Sequence, residues 1–257
     1  MTSSRGIAVL LYHHVGPLRE PACQGLTVLT EAFERQISTL SAMGYAAIVP
    51  DDWADVVRGD GDIPEHSVMI TFDDAYADLV EYALPVLEHH GYPATVFVPT
   101  SLIGRTINCN PNEPDAQLPI MSAEQIATWT GRGVTFGAHS RTHADLTSLS
   151  LEDAVAEIEG SRDDLAEITG RATTTFAYPY GRLNDQVTSL VRTRFRVAFT
   201  IEEGVNDVSV PLHLLRRTMV QHHDTMVDVL LRARYGRSVL QRVRNAVRGR
   251  TSESSTA

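Results

Sequence analysis

Short apolar runs alternate with stretches of helical periodicity along most of this chain. Runs at 7–12, 46–49, 68–72, 94–99, 134–138, 174–178 and 197–201 predict buried strands. Helical spacing predicts helices over 30–43, 52–58, 76–90, 122–130, 151–169 and 185–194. The helix over 151–169 has the clearest stripe, with Ala154, Val155, Ile158, Leu165 and Ile168 on one face. Ser122 and Gln125 form a capping-box pattern ahead of its predecessor. Strands alternating with helices at this spacing predict an α/β fold with a mainly parallel sheet. Seven strands in one unit favour a barrel over an open sheet. The expected domain is residues 1–235, with 236–257 set apart as a basic C-terminal helix and tail.

Two of the predicted strands end in unusual side chains. The run Val68-Met69-Ile70-Thr71-Phe72 stops at two adjacent carboxylates, Asp73 and Asp74. Charged groups at the mouth of a buried strand are costly to desolvate without a counter-charge. The run 134–138 leads into His139-Ser140-Arg141-Thr142-His143. Two imidazoles and one carboxylate make a divalent-metal site with open positions, which leaves the second carboxylate to act as a base. The bland alternatives are an aspartate capping the helix over 76–90 and two ordinary histidines. Tyr12-His13-His14 and Phe176-Ala177-Tyr178-Pro179-Tyr180-Gly181 also sit at predicted strand ends. In a parallel barrel those ends share one rim, where active sites form. Asp73, Asp74, His139, His143, Tyr180 and His13 would therefore converge.

Composition narrows the chemistry. The 257 residues carry a formal net charge of -10, which argues against a general nucleic-acid partner. All 22 basic residues are arginine, so a lysine Schiff base and a Walker-type phosphate loop are excluded. Cys23 and Cys109 allow one disulfide without requiring it. The apolar run after Arg5 is too short for a signal-peptide core or a membrane span, so the expected location is cytoplasmic.

The motifs together resemble the polysaccharide deacetylase family, also called the NodB-homology family or carbohydrate esterase family 4. Thr71-Phe72-Asp73-Asp74 is similar to its first motif, His139-Ser140-Arg141-Thr142-His143 to its second, and Ala177-Tyr178-Pro179-Tyr180-Gly181 to its third. Tyr12-His13 and the 176–181 stretch look like the branch acting on poly-N-acetylglucosamine-type exopolysaccharides. The likeness runs over residues 7–220. It implies a distorted (β/α)7 barrel and a metal-dependent hydrolase that removes an N-acetyl group from an amino sugar or glycan. Asp74, His139 and His143 would hold the metal, usually Zn2+, with Co2+, Ni2+, Fe2+ or Mn2+ as alternatives. Asp73 would be the general base, the Tyr180 N–H would face the oxyanion, and a histidine would protonate the departing amine.

The chain departs from the family pattern in three places. Ala75 stands where a glycine is usual, Ala177 stands where an arginine often orients the base, and the late acid histidine is indistinct among His213 and His223. The implied branch assigns that role to His13. With a cytoplasmic location the expected substrate is a glycan, glycolipid or glycoconjugate intermediate. O-acetyl sugar ester hydrolysis at the same site, or a non-catalytic glycan-binding barrel, are the competing functions.

Two further stretches stand out. Residues 104–119, rich in Asn and Pro, read as a long structureless loop on the site's side of the sheet, suited to substrate. From Arg232 onward arginines crowd, and Val239, Leu240, Val243 and Val247 recur at helical spacing. That pattern fits either a helix docked on the barrel or peripheral contact with an anionic membrane.

Overall fold

The computed structural model describes residues 6–238. In chain order the first half comprises β1 (Ala8–Tyr12), β2 (His14–Val15), β3 (Thr27–Val28), α1 (Thr30–Ala42), β4 (Ala46–Ala47), α2 (Pro50–Arg58), β5 (Ser67–Phe72), α3 (Leu79–Tyr82), α4 (Leu84–His90) and β6 (Ala94–Val98). The second half comprises β7 (Thr106–Asn108), β8 (Gln117–Pro119), α5 (Ala123–Trp129), β9 (Val134–Ala138), α6 (Leu151–Thr169), β10 (Thr175–Ala177), α7 (Asp185–Arg192), β11 (Val197–Phe199), β12 (Thr218–Met219) and α8 (Met226–Tyr235).

The main sheet is parallel throughout, in the order β11-β10-β9-β6-β5-β1-β12, with β4 beside the start of β5. It curls into a single-domain barrel of the distorted (β/α)7 type. No regular ladder joins β11 to β12; the segment after β11 laces that gap through Ala198 N–H to Leu212 O, Leu215 N–H to Ala198 O and Arg217 N–H to Glu202 O. The curl divides the core. Leu10, Tyr12, Val68, Ile70 and Phe72 pack outward against Phe33, Leu40, Leu84 and other helix side chains. Val9, Met69, Phe97, Ala177 and Phe199 form a smaller cluster on the concave side, joined by Trp53 of α2. Full burial of such side chains contributes about 1.5–3 kcal/mol each. Alternation along β5 then carries Met69, Thr71 and Asp73 to the same, inward side.

Two expectations about elements change. The helix over 76–90 is split: a turn follows Asp74, α3 begins only at Leu79, and α4 starts afresh with Pro85 in its first turn. Proline lacks the N–H that a continuous helix would need there. The stretch 104–119 is not structureless. It folds into the antiparallel β7–β8 hairpin, pairing Ile107 with Leu118, and the Asn108 and Asn110 side chains bond the turn backbone. Cys109 at its tip is disulfide-bonded to Cys23, with the Cα atoms 5.4 Å apart.

At the C-terminal end, α8 is docked. Arg232 is buried, donating to Asp224, Glu203 and Thr218, so it offers no charge to a membrane. The remaining arginine-rich stretch after Ser238 lies outside the described residues. Among the described residues no helix is long and apolar enough to cross a membrane.

Candidate active site

The C-terminal ends of the central strands bring the two motifs together. Asp73 and Asp74 leave β5, and His139 leaves β9 two strands away. Asp74, His139 and His143 each offer a ligand atom, and these atoms all lie within 4.8 Å of one another. His143 Nε2 is 3.3 Å from Asp74 Oδ1, and His139 Nε2 is 3.8 Å from the same oxygen. That oxygen is enclosed and has no hydrogen-bond partner among the described residues. A buried carboxylate oxygen without a donor is expensive. Two imidazole nitrogens converging on it satisfy the donor set of a divalent cation with open positions. The residues therefore fit a metal.

His139 is prepared as a neutral ligand. Its Nδ1 donates to the Ala177 carbonyl at 2.7 Å, which leaves the Nε2 lone pair facing Asp74. Burial pulls its pKa down to about 4, overcoming the upward pull of Asp73. The ring of His143 packs edge-on against Tyr180 at 4.5 Å.

Asp73 is organised differently. Arg217, fully buried, clamps both its oxygens at 2.6 and 2.8 Å and holds the Thr200 carbonyl at 2.9 Å. Burial raises the Asp73 pKa, but the Arg217 and His139 charges and the Arg217 hydrogen bonds outweigh it. The carboxyl is held below the usual carboxylate range and stays ionised. Arg217 in turn lies over the faces of Phe97 and Phe199. Gly137 permits this arrangement, because a Cβ there would sit 2.5 Å from Phe97.

Backbone strain concentrates here. The non-glycine residues with positive φ among those described are Asp74 (68°), Ala75 (51°), Ser140 (59°), His143 (58°) and Tyr180 (58°). All belong to the three motif turns, and left-handed backbone at non-glycine residues is a frequent mark of functional sites.

The histidines proposed as acids separate by position. His13 is half-buried just past β1, near enough for its charge to act on Asp73. His14 faces away, bonded to Thr27 and Asp78. His213 bonds the Phe195 carbonyl ahead of β11, at the end of the sheet opposite the motifs. His223 follows β12, on the motif side, and is exposed. Tyr180 projects at the rim, half-exposed.

Sequence reasoning missed Arg217. Its only signal was an arginine pair, Arg216-Arg217, inside an otherwise apolar stretch. It makes the two-pronged contact to Asp73 that Ala177 has no side chain to make. Tyr76, enclosed beside Asp74, was read as a helix start; burial and then the Asp74 charge keep its phenol protonated.

Residues 60–196 match the polysaccharide deacetylase family. The Bacillus subtilis (strain 168) protein YxkH is 26% identical over 215 residues, covering 83% of this chain and 71% of its own length. The Poly-beta-1,6-N-acetyl-D-glucosamine N-deacetylase of Staphylococcus aureus (strain MSSA476) is 25% identical over 205 residues, 76% of this chain and 70% of that protein. Among solved structures, the Streptococcus pyogenes deacetylase PplD, in complex with acetate, superposes with a TM-score of 0.78 at 24% identity. That match covers 90% of this chain and 99% of PplD.

Proposed function

Because the chain belongs to the polysaccharide deacetylase family, we propose that it hydrolyses N-acetyl groups from an amino-sugar glycan of the poly-N-acetylglucosamine type. The observation that carries this reading is the unpartnered Asp74 oxygen facing two histidines, with an ionised Asp73 alongside. The likeness to the staphylococcal deacetylase supports the substrate class.

Asp74, His139 and His143 would hold the cation, for which we propose Zn2+ first; when bound, it supplies Lewis acidity to a water and to the acyl oxygen. Asp73 takes the proton from the attacking water. Arg217 keeps that carboxylate aimed and ionised until it does so. The Tyr180 turn offers its backbone N–H to the developing oxyanion. His13 donates a proton to the nitrogen as the C–N bond breaks. Acetate and a free amine leave, the new C–O bond having come from water.

The working compartment is also a proposal. The Cys23–Cys109 pairing supports an oxidising location over the cytoplasmic one expected from the N-terminal residues. A finished glycan outside the cytoplasm is then the more fitting substrate than a cytoplasmic intermediate.

The test is acetate release from N-acetylated and O-acetylated oligosaccharides by the metal-loaded protein. We expect release from the N-acetylated substrate, falling by at least about a hundredfold in Asp73→Asn, the usual size of a general-base effect. Release from the O-acetyl ester alone would replace this reading with an esterase. Release from neither, with metal bound, would favour a glycan-binding barrel.

A further inference from the structure

The turn between the two histidines is built against its own preferences. Ser140 and His143 both hold positive φ. A segment with two strained residues needs something outside it to fix its shape. That something is one face of α6.

Glu157 is at the centre of that face. Its Oε2 accepts the backbone N–H of Arg141 at 2.8 Å and of Thr142 at 2.9 Å, and its Oε1 accepts the Thr142 hydroxyl at 2.9 Å. Two successive N–H groups converging on one anion form a nest, and here the anion is a side chain of the same protein. Hydrogen bonds to a charged acceptor are stronger than neutral ones. One turn further along α6, Gly160 leaves room for the Arg141 side chain, since a Cβ there would lie 2.5 Å from Arg141 Cδ. One turn beyond that, Asp164 accepts Arg141 Nε at 3.0 Å and the Thr100 hydroxyl at 2.7 Å. Glu157, Gly160 and Asp164 follow at intervals of three and four, so they share one helix face. The turn is held on its other side too: Thr100 and Ser101 donate their N–H groups to the carbonyls of Ser140 and Arg141.

We infer that Glu157 is a positioning residue for the metal centre, anchoring the 139–143 turn so that His139 and His143 present their nitrogens together. The inference rests on the reading of Asp74, His139 and His143 as metal ligands. Glu157 bonds Arg141 and Thr142, the residues between the two histidines, so its effect should fall on metal affinity and on the turn's backbone rather than on the reaction itself.

The experiment compares full-length wild type, Glu157→Gln and Glu157→Ala. Zn2+ affinity is measured by competition with a chromophoric chelator, Co2+ loading by its visible absorption, and backbone protection by amide hydrogen exchange. Glu157→Ala should bind Zn2+ about 10–100-fold more weakly, the usual loss when a partner that orients ligands is removed. Glu157→Gln keeps acceptor oxygen without charge and should fall between the two. The Arg141 and Thr142 amides should exchange faster in both variants. At saturating metal, KM should match wild type. If Glu157→Ala does not fold, Glu157→Gln carries the test. Zn2+ affinity within about twofold of wild type in the folded variants, or unchanged exchange at both amides, would overturn the inference. Failure of wild type to bind either metal would remove the metal-centre reading itself, and this inference with it.

Discussion

The Asp73–Arg217 pair decides how the proposed base is presented, and it is almost wholly buried. Breaking such a pair leaves one buried charge unpaired, at a cost of about 3–5 kcal/mol. Arg217→Met should therefore lower unfolding free energy by roughly that amount and abolish most turnover. Adding Asp73→Asn removes the stranded carboxylate and should recover much of the stability but none of the activity. Denaturant unfolding of both variants checks this; a double variant as unstable as the single one would refute the pairing. Ala75 poses a subtler question. A left-handed alanine costs about 1–2 kcal/mol. Glycine would relieve that, yet adds about 0.5–1 kcal/mol of unfolded-state entropy and removes a buried methyl worth about 0.8 kcal/mol. The terms nearly cancel, so Ala75→Gly should change stability by no more than about 1 kcal/mol. A larger loss would show that the methyl's packing matters more than its strain. His13 carries the remaining residue-scale prediction. An amine leaves poorly unless protonated. His13→Ala should thus lose most amide hydrolysis while retaining far more activity on an activated ester, and equal damage to both substrates would make His13 a substrate-positioning residue instead. Asp73, Asp74, His139 and His143 were legible because each pair is adjacent or nearly so, at the end of an apolar run. Arg217 was not, because its partner is 144 residues away and nothing local marks it.

At the scale of elements, strands inside apolar runs were readable, down to the two-residue β4 and the three-residue β10 and β11, and strands outside such runs were not. β1, β5, β6 and β9 match their predicted runs closely, whereas β2, β3 and β12 are two residues each and carry no period. The β7–β8 hairpin was hidden by its own composition, since Asn and Pro serve as turn formers as readily as loop formers. Its stem is joined to the first motif: Met121 N–H donates to Ala75 O, and Ala77 N–H donates to Pro119 O. Its tip is joined to the 21–26 turn by the Cys23–Cys109 bond, which spans 86 residues. A bond closing so long a loop contributes about 2–4 kcal/mol, mainly by restricting the unfolded chain. Cys109→Ser should therefore lower stability by that order while the metal ligands, held by β5, β9 and α6, still bind the cation. Thiol labelling of the denatured, unreduced protein offers the direct check: two reactive thiols in protein taken from its native host would remove both the bond and the case for an oxidising compartment.

The whole molecule adds a field to these local features. The chain carries a formal net charge of -10, and on the proposed reaction its rim turns neutral acetamido sugars into ammonium-bearing ones. Each turnover then makes the glycan more cationic and more strongly attracted to the protein. Such attraction acts over about a Debye length, roughly 8 Å at physiological ionic strength. It favours successive turnover on one chain over release into solution. A partially deacetylated oligomer should accordingly show a lower KM than a fully acetylated one of equal length at low salt. The two values should converge as salt is raised, because exposed charges are screened while contacts to the metal centre are not. An advantage that persists unchanged at high salt would place recognition of the amine in a specific contact at the rim instead of in the overall field.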